Sequence, residues 1–142
     1  MTLVLDSSMT LSWYFEDEES EVSEAVFDRV TEDGAVVPVL WRFEVANGLQ
    51  LAVRRGRIGP EYRDESLVDL GRLNITVDPD SEVYAWSASV RLAERHGLTV
   101  YDAAYLELAQ RRRLTLATFD KALVRAGETE SVPVIGSANI SR

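Results

Sequence analysis

LTVYDAAYLELAQRRRLTLATFD, residues 98–120, reads as a turn, a helix, a basic corner and a short apolar strand. The strand, Leu114-Thr115-Leu116-Ala117, does not alternate polar with apolar side chains, which suits a parallel sheet covered on both faces. In such sheets, ligands bind outside the carboxyl ends of the strands. Asp120 falls just past that end, and Asp102 stands where the preceding helix opens. The fold therefore turns on whether the remaining chain supplies more strands, and more acids, of the same kind.

Upstream it does. Leu3-Val4-Leu5 is a buried-strand pattern running into Asp6-Ser7-Ser8, all helix-opening types, with an apolar helical turn or two from Met9 to Phe15. An acidic run, Glu16 to Glu21, leads into a helix from about Ser20 to Thr31, with Asp33-Gly34 as its stop. Ala35-Val36-Val37 is a second strand closed by Pro38. A helix from about Leu40 to Arg55 ends at Gly56, and another follows from Ile58 to Gly71, with Pro60 in its first turn. Ile75-Thr76-Val77 is a third strand, and Asp80-Ser81 caps a helix expected to run unbroken to about Arg95. After Asp120 come a helix from Lys121 to about Arg125, with Gly127 beyond it, and a Val132–Val134 strand. Strands alternating with helices predict an α/β fold, a three-layer α/β/α domain with a small parallel sheet of four to five strands. Residues 1–142 read as one domain, without repeat or linker.

Composition narrows the chemistry. With no cysteine, disulfides, thiolate zinc sites and cysteine nucleophiles are excluded. The N-terminus lacks a charged leader, and no apolar run approaches the roughly 20 residues of a membrane span, so a cytoplasmic protein is predicted. The net charge of −9 argues against a nucleic-acid partner unless several carboxylates serve as metal ligands. The arginines are clumped at Arg54, Arg55, Arg57 and at Arg111 to Arg113, places where they complement helix C-termini.

Asp6, Asp102 and Asp120 each fit an N-cap, a role worth about 1 kcal/mol. In a parallel sheet, however, strand-following caps arrive at one edge and crowd together. Glu44 is harder to explain as a cap or a surface residue. With Leu40, Phe43, Asn47, Gly48 and Leu51 it falls at three- and four-residue spacing, which places it in the middle of an apolar stripe. A buried carboxylate needs a partner. An arginine is one candidate, and a cation shared with the strand-end aspartates is the better one. Oxygen ligands without cysteine or clustered histidine suit magnesium or manganese, and such a site supports attack of water on a phosphodiester. Thr118, with Ser7 and Ser8 of similar standing, offers a hydroxyl for a water or a phosphate oxygen.

Rival strand-end aspartate sites fit less well. A receiver domain wants paired acids after the first strand, and a dehalogenase-type phosphatase wants an aspartate where Ser8 stands. Neither a G-x-S-x-G elbow nor a P-loop is present. The single histidine, His96, sits beside Gly97 at a helix end.

VLDSS, FEVANGL, LTVYDAAYLELA and LATFDKAL, in that order and spacing, resemble the PIN-domain ribonucleases, and among them the VapC-type toxins of toxin–antitoxin pairs. The resemblance covers essentially the whole chain. It implies an acidic pocket that binds Mg2+ or Mn2+ and cleaves RNA, formed by Asp6, Glu44, Asp102 and Asp120 with Thr118 in support and Asn47 orienting Glu44. It also implies a homodimer and a VapB-like antitoxin. Trp13, Tyr14, Phe15 and Trp41 are candidates for the antitoxin groove, one or two of them expected to be exposed. The alternative is a catalytically weak PIN-like scaffold or binding module.

Overall fold

A computed structural model describes residues 1–136; residues 137–142 lie outside the described residues. Five short strands form one parallel sheet: β1 (Leu3–Leu5), β2 (Ala35–Val37), β3 (Ile75–Val77), β4 (Thr115–Ala117) and β5 (Val134–Ile135). Their spatial order is β3-β2-β1-β4-β5. Leu3, Val4 and Leu5 pair with Thr115, Leu116 and Ala117 on one side, and Leu3 and Val4 with Ala35 and Val36 on the other. Of the three inner strands, β1 and β2 are buried at every position, as unbroken apolar runs require in a sheet covered on both faces.

The helices are α1 (Ser7–Ser12), α2 (Glu21–Asp33), α3 (Leu40–Arg54), α4 (Pro60–Gly71), α5 (Val90–His96), α6 (Val100–Arg112) and α7 (Lys121–Thr129). Packing groups α1, α3 and α4 together, and α5, α6 and α7 together. Right-handed crossovers put those groups on opposite faces of the sheet. The chain steps outward from β1 through β2 to β3, then returns to β4 and continues to β5. The order thus reverses between β1 and β4, the position at whose carboxyl edge open α/β sheets bind their ligands.

Three local expectations are revised. The segment read as one helix from Asp80 to Arg95 is broken: turns lead into a π-helical stretch, Ala85–Ser89, before α5 begins. The Ser89 N–H reaches back five residues to the Tyr84 carbonyl, and this wide turn breaks the α-helical register. Helix α7 runs through Gly127 to Thr129 instead of stopping before it. Glycine is needed there for proximity, because a Cβ would lie 2.5 Å from Val134 Cγ2. The last strand accordingly begins at Val134, two residues later than expected.

The helical stripe of α3 is also shifted in phase. Its buried positions are Trp41, Val45, Leu49 and Ala52, while Phe43 is 74% exposed and Asn47 is exposed. Both sets have helical spacing. The buried set wins because Trp41 fills the core and its indole N–H donates to Thr10 Oγ1 at 2.9 Å, joining α3 to α1. Glu44 lies on the flank of this stripe, half-buried, rather than in its middle.

Candidate active site

Asp6 follows β1 directly, and its backbone N–H donates to the Ala117 carbonyl at 3.1 Å across the point where strand order reverses. It caps α1, accepting from the Met9 N–H at 2.9 Å. Ser8 Oγ and Thr118 Oγ1 also donate to its carboxylate. The residue is 4% exposed, and every donor it meets is neutral. Burial therefore dominates and pushes its carboxyl up to about 7, with Asp102 adding repulsion.

Thr118 is fully buried and ties the ends of β1 and β4 together. Its hydroxyl donates to Asp6 and accepts from the Asp120 N–H at 3.0 Å. With its proton committed to Asp6, the side chain orients the two aspartates. Ser8 Oγ works alongside it, accepting from the Phe119 N–H at 3.0 Å. Asp120 caps α7 through the Leu123 N–H at 2.9 Å. Asp102 is not a cap; Thr99 takes that place in α6, and Asp102 stands in the first turn, where the helix dipole favours a carboxylate.

Glu44 Oε1 accepts from Tyr105 Oη at 2.6 Å and from Ser7 Oγ at 3.3 Å. Tyr105 is buried in α6, and burial together with the Glu44 charge holds its phenol protonated well above its ordinary range. This orienting pair went unread in the sequence, apart from Ser7 as a possible hydroxyl donor. The available signal was spacing: Tyr105 follows Asp102 by three residues, on one side of the helix. Asn47, expected to orient Glu44, is exposed, and no hydrogen bond joins the two among the described residues.

Burial first, and then the charges of Asp120 and Glu44, raise the Asp102 carboxyl. Together with the coupling of Asp6 to Asp102, this links all four acids electrostatically at one edge of the sheet. Among the described residues no salt bridge reaches any of them. Other buried or half-buried acids are paired: Asp78 with Arg111 and Arg112, Glu107 with Arg111, and Glu130 with Arg95, the His96 ring also lying within hydrogen-bond distance of Glu130. The His96–Glu130 contact, 2.6 Å, is thus part of an α5–α7 clasp. Of the arginine clumps, Arg111 is consumed in that pairing, and Arg57 bonds Asp17 and Glu18 while lying over the Phe15 ring.

The donor set at the edge is all carboxylate and hydroxyl oxygen, which fits a hard divalent cation. As they stand, no three acidic or histidine side chains among the described residues are placed to hold a metal ion together. The expected aromatic groove is resolved in part. Phe15 and Trp41 are buried; Trp13 and Tyr14, half-buried, line an open groove of about 440 Å³ with Phe27 and Leu73, rimmed by Glu19, Glu24, Asp28 and Asp69.

Comparison with known proteins gives a consistent picture. Residues 3–128 match the PIN domain family. Ribonuclease VapC3 of Pyrobaculum aerophilum is 32% identical over 123 residues, covering 87% of this chain and 92% of that protein. Among solved structures, PAE2754 from Pyrobaculum aerophilum superposes with a TM-score of 0.61 at 22% identity, over 89% of this chain and 84% of the other. FitAcB from Neisseria gonorrhoeae gives 0.63 at 19% identity, over 95% and 96%. At those identities the two structures speak for the fold alone.

Proposed function

The chain belongs to the PIN-domain family, and from that membership we propose that it is a metal-dependent endoribonuclease, the toxin of a VapBC-type toxin–antitoxin pair. The observation that carries the reading is that four carboxylates, Asp6, Glu44, Asp102 and Asp120, are gathered at the strand-order reversal and, among the described residues, form no ion pair with a cationic side chain. Relatedness to Ribonuclease VapC3 supports the choice of RNA as substrate. These four residues are the proposed ligands of Mg2+ or Mn2+. A divalent ion bound there would lower the pKa of a water and offset charge on the phosphodiester.

The protein's own part is to hold the acids in place. Thr118 and Ser8 fix the Asp6 carboxylate, and Thr118 also positions the Asp120 backbone. Tyr105 and Ser7 aim Glu44 toward the edge. In this reading Thr118 supports the ligands and does not touch substrate.

For the partners, the groove beside Trp13 and Tyr14 combines an apolar floor with four acids. That chemistry suits a basic amphipathic segment of a VapB-like antitoxin. For a homodimer the support is a solvent-facing apolar stripe, Val83, Trp86 and Val90, which are 71%, 95% and 44% exposed. Trp86→Glu is expected to shift the protein from dimer to monomer in sedimentation equilibrium; an unchanged mass would remove this stripe from the interface. No helix among the described residues is long and apolar enough to cross a membrane, which accords with the cytoplasmic placement proposed for the toxin.

The decisive experiment is cleavage of a labelled total-RNA pool in manganese, in magnesium and in chelator, beside an Asp120→Asn control. Metal-dependent fragments missing from the control are expected. A folded, metal-binding protein that leaves the pool intact would favour the scaffold reading.

A further inference from the structure

Each of three site acids is preceded in sequence by an aromatic residue: Phe43-Glu44, Tyr101-Asp102 and Phe119-Asp120. Phe119 is partly buried against the core, whereas Phe43 and Tyr101 are exposed. Tyr101 is the more constrained in position. Helix α6 is enclosed on every side, since all residues from Ala103 to Ala109 are buried. Only its ends reach solvent, and its opening turn emerges at the edge where the acids converge. There Asp102 is half-buried among the other carboxylates, while Tyr101, one residue earlier, is 65% exposed. Among the described residues the Tyr101 hydroxyl has no hydrogen-bond partner and its ring packs on no other ring.

Packing does not account for this ring, which stands in solvent at the opening turn of α6, one residue before Asp102. An aromatic face beside a phosphodiester-cleaving site is suited to stacking, which every base accepts regardless of sequence. We propose that Tyr101 is a base-stacking residue, whose ring takes the face of an unpaired nucleotide next to the phosphate presented to the carboxylates. The inference rests on the ribonuclease reading above and adds a positioning residue to it. Stacking on one exposed ring requires a base already out of a helix, so the preferred substrate is single-stranded at the cleavage point.

The test uses a fluorescent pool of short single-stranded RNAs of randomised sequence, with manganese and the full chain. Tyr101→Ala is expected to raise KM about 5- to 50-fold with kcat changed less than about threefold. Tyr101→Phe should restore wild-type KM, while Tyr101→Leu, equally apolar but not aromatic, should behave like alanine. Binding of the same pool, measured by anisotropy in the cleavage-impaired Glu44→Gln background, should weaken in the same order. Binding of a fully paired RNA should not change on Tyr101→Ala. Wild-type KM in the alanine variant, or rescue by leucine as complete as by phenylalanine, overturns stacking while the ribonuclease reading stands. A change of oligomeric state that accounts for the KM shift does the same. A wild-type protein that neither binds nor cleaves the pool overturns both.

Discussion

Glu44→Gln is expected to lower RNA cleavage by about a hundredfold or more, with the melting temperature within a few degrees of wild type. The separation of activity from stability follows from what Glu44 touches. Its Oε1 accepts one hydrogen bond from Tyr105 and one from Ser7, and a glutamine oxygen of the same reach can accept both. No core apolar contact depends on the charge, because Glu44 sits on the flank of the buried α3 stripe. What the variant removes is one negative charge from four. Loss of residues that merely orient a ligand commonly costs 10- to 100-fold in metal affinity or activity, so loss of a ligand's charge should cost at least as much. Cleavage rates at saturating manganese, with thermal melts of both proteins, check the expectation. Full activity would exclude Glu44 from the chemistry, and a collapsed melting temperature would assign it a structural task.

Glu44 shows what a sequence does and does not carry. The strands were legible because their local pattern and their environment agree: three or four apolar residues without alternation can be buried on both faces and little else. The site acids were legible for a related reason. Asp6 and Asp120 follow parallel strands and Asp102 opens the helix that leads back into β4, so topology places all three at one edge, whatever the side-chain packing beneath them. Glu44 is different. Its spacing places it in the middle of an apolar stripe, and the stripe that packs is the other one, built on Trp41, Val45 and Leu49. Leu40, Phe43 and Leu51 have equally good helical spacing, and only the Trp41–Thr10 contact decides between the two phases. Periodicity gives the existence of a buried face more securely than its identity.

The same limit explains the other misses. Tyr105, which orients Glu44 from 61 residues away, acts across the sheet from a helix on the opposite face, and no local pattern encodes that meeting. Thr118 looked like a free hydroxyl because its two partners, Asp6 and the Asp120 N–H, are fixed only once β1 and β4 are paired. Trp41 could be read as groove or as core, because composition does not distinguish aromatic residues that line a groove from those that share a core. The break at Ala85–Ser89 was invisible because a π-helical turn differs from an α-helical one by a single residue in its hydrogen-bond spacing, which the apolar pattern of the segment does not mark.

Asp6→Asn should invert the ordinary relation between a conservative substitution and stability. In chelator at pH 8 the variant is expected to be more stable than wild type, by about 1–3 kcal/mol. The reason is the environment of Asp6: a carboxyl 4% exposed, bonded only by neutral donors, and pushed up to about 7 by burial. An unfolded chain would ionise the same group near its ordinary value of 3.8. Between those two values the folded protein holds a proton that the unfolded chain has released, so the site's contribution is intact below about 4 and is lost as pH rises through about 7. The shift corresponds to at most about 4 kcal/mol at pH 8. Asparagine carries no charge at any pH and keeps an acceptor for the Met9 N–H, but its amide matches the Ser8 and Thr118 hydroxyls less well, hence the smaller net figure. Denaturant titrations at pH 5 and pH 8 should therefore show the gap between the two proteins closing as pH falls. Saturating manganese should reverse their order, because an ion held by the proposed carboxylate set stabilises the folded state of wild type by mass action and finds one charge fewer in the variant. An equal rise in melting temperature for both proteins would mean that the ion binds elsewhere. Parallel pH profiles in chelator would mean that Asp6 is not carrying the cost its burial implies.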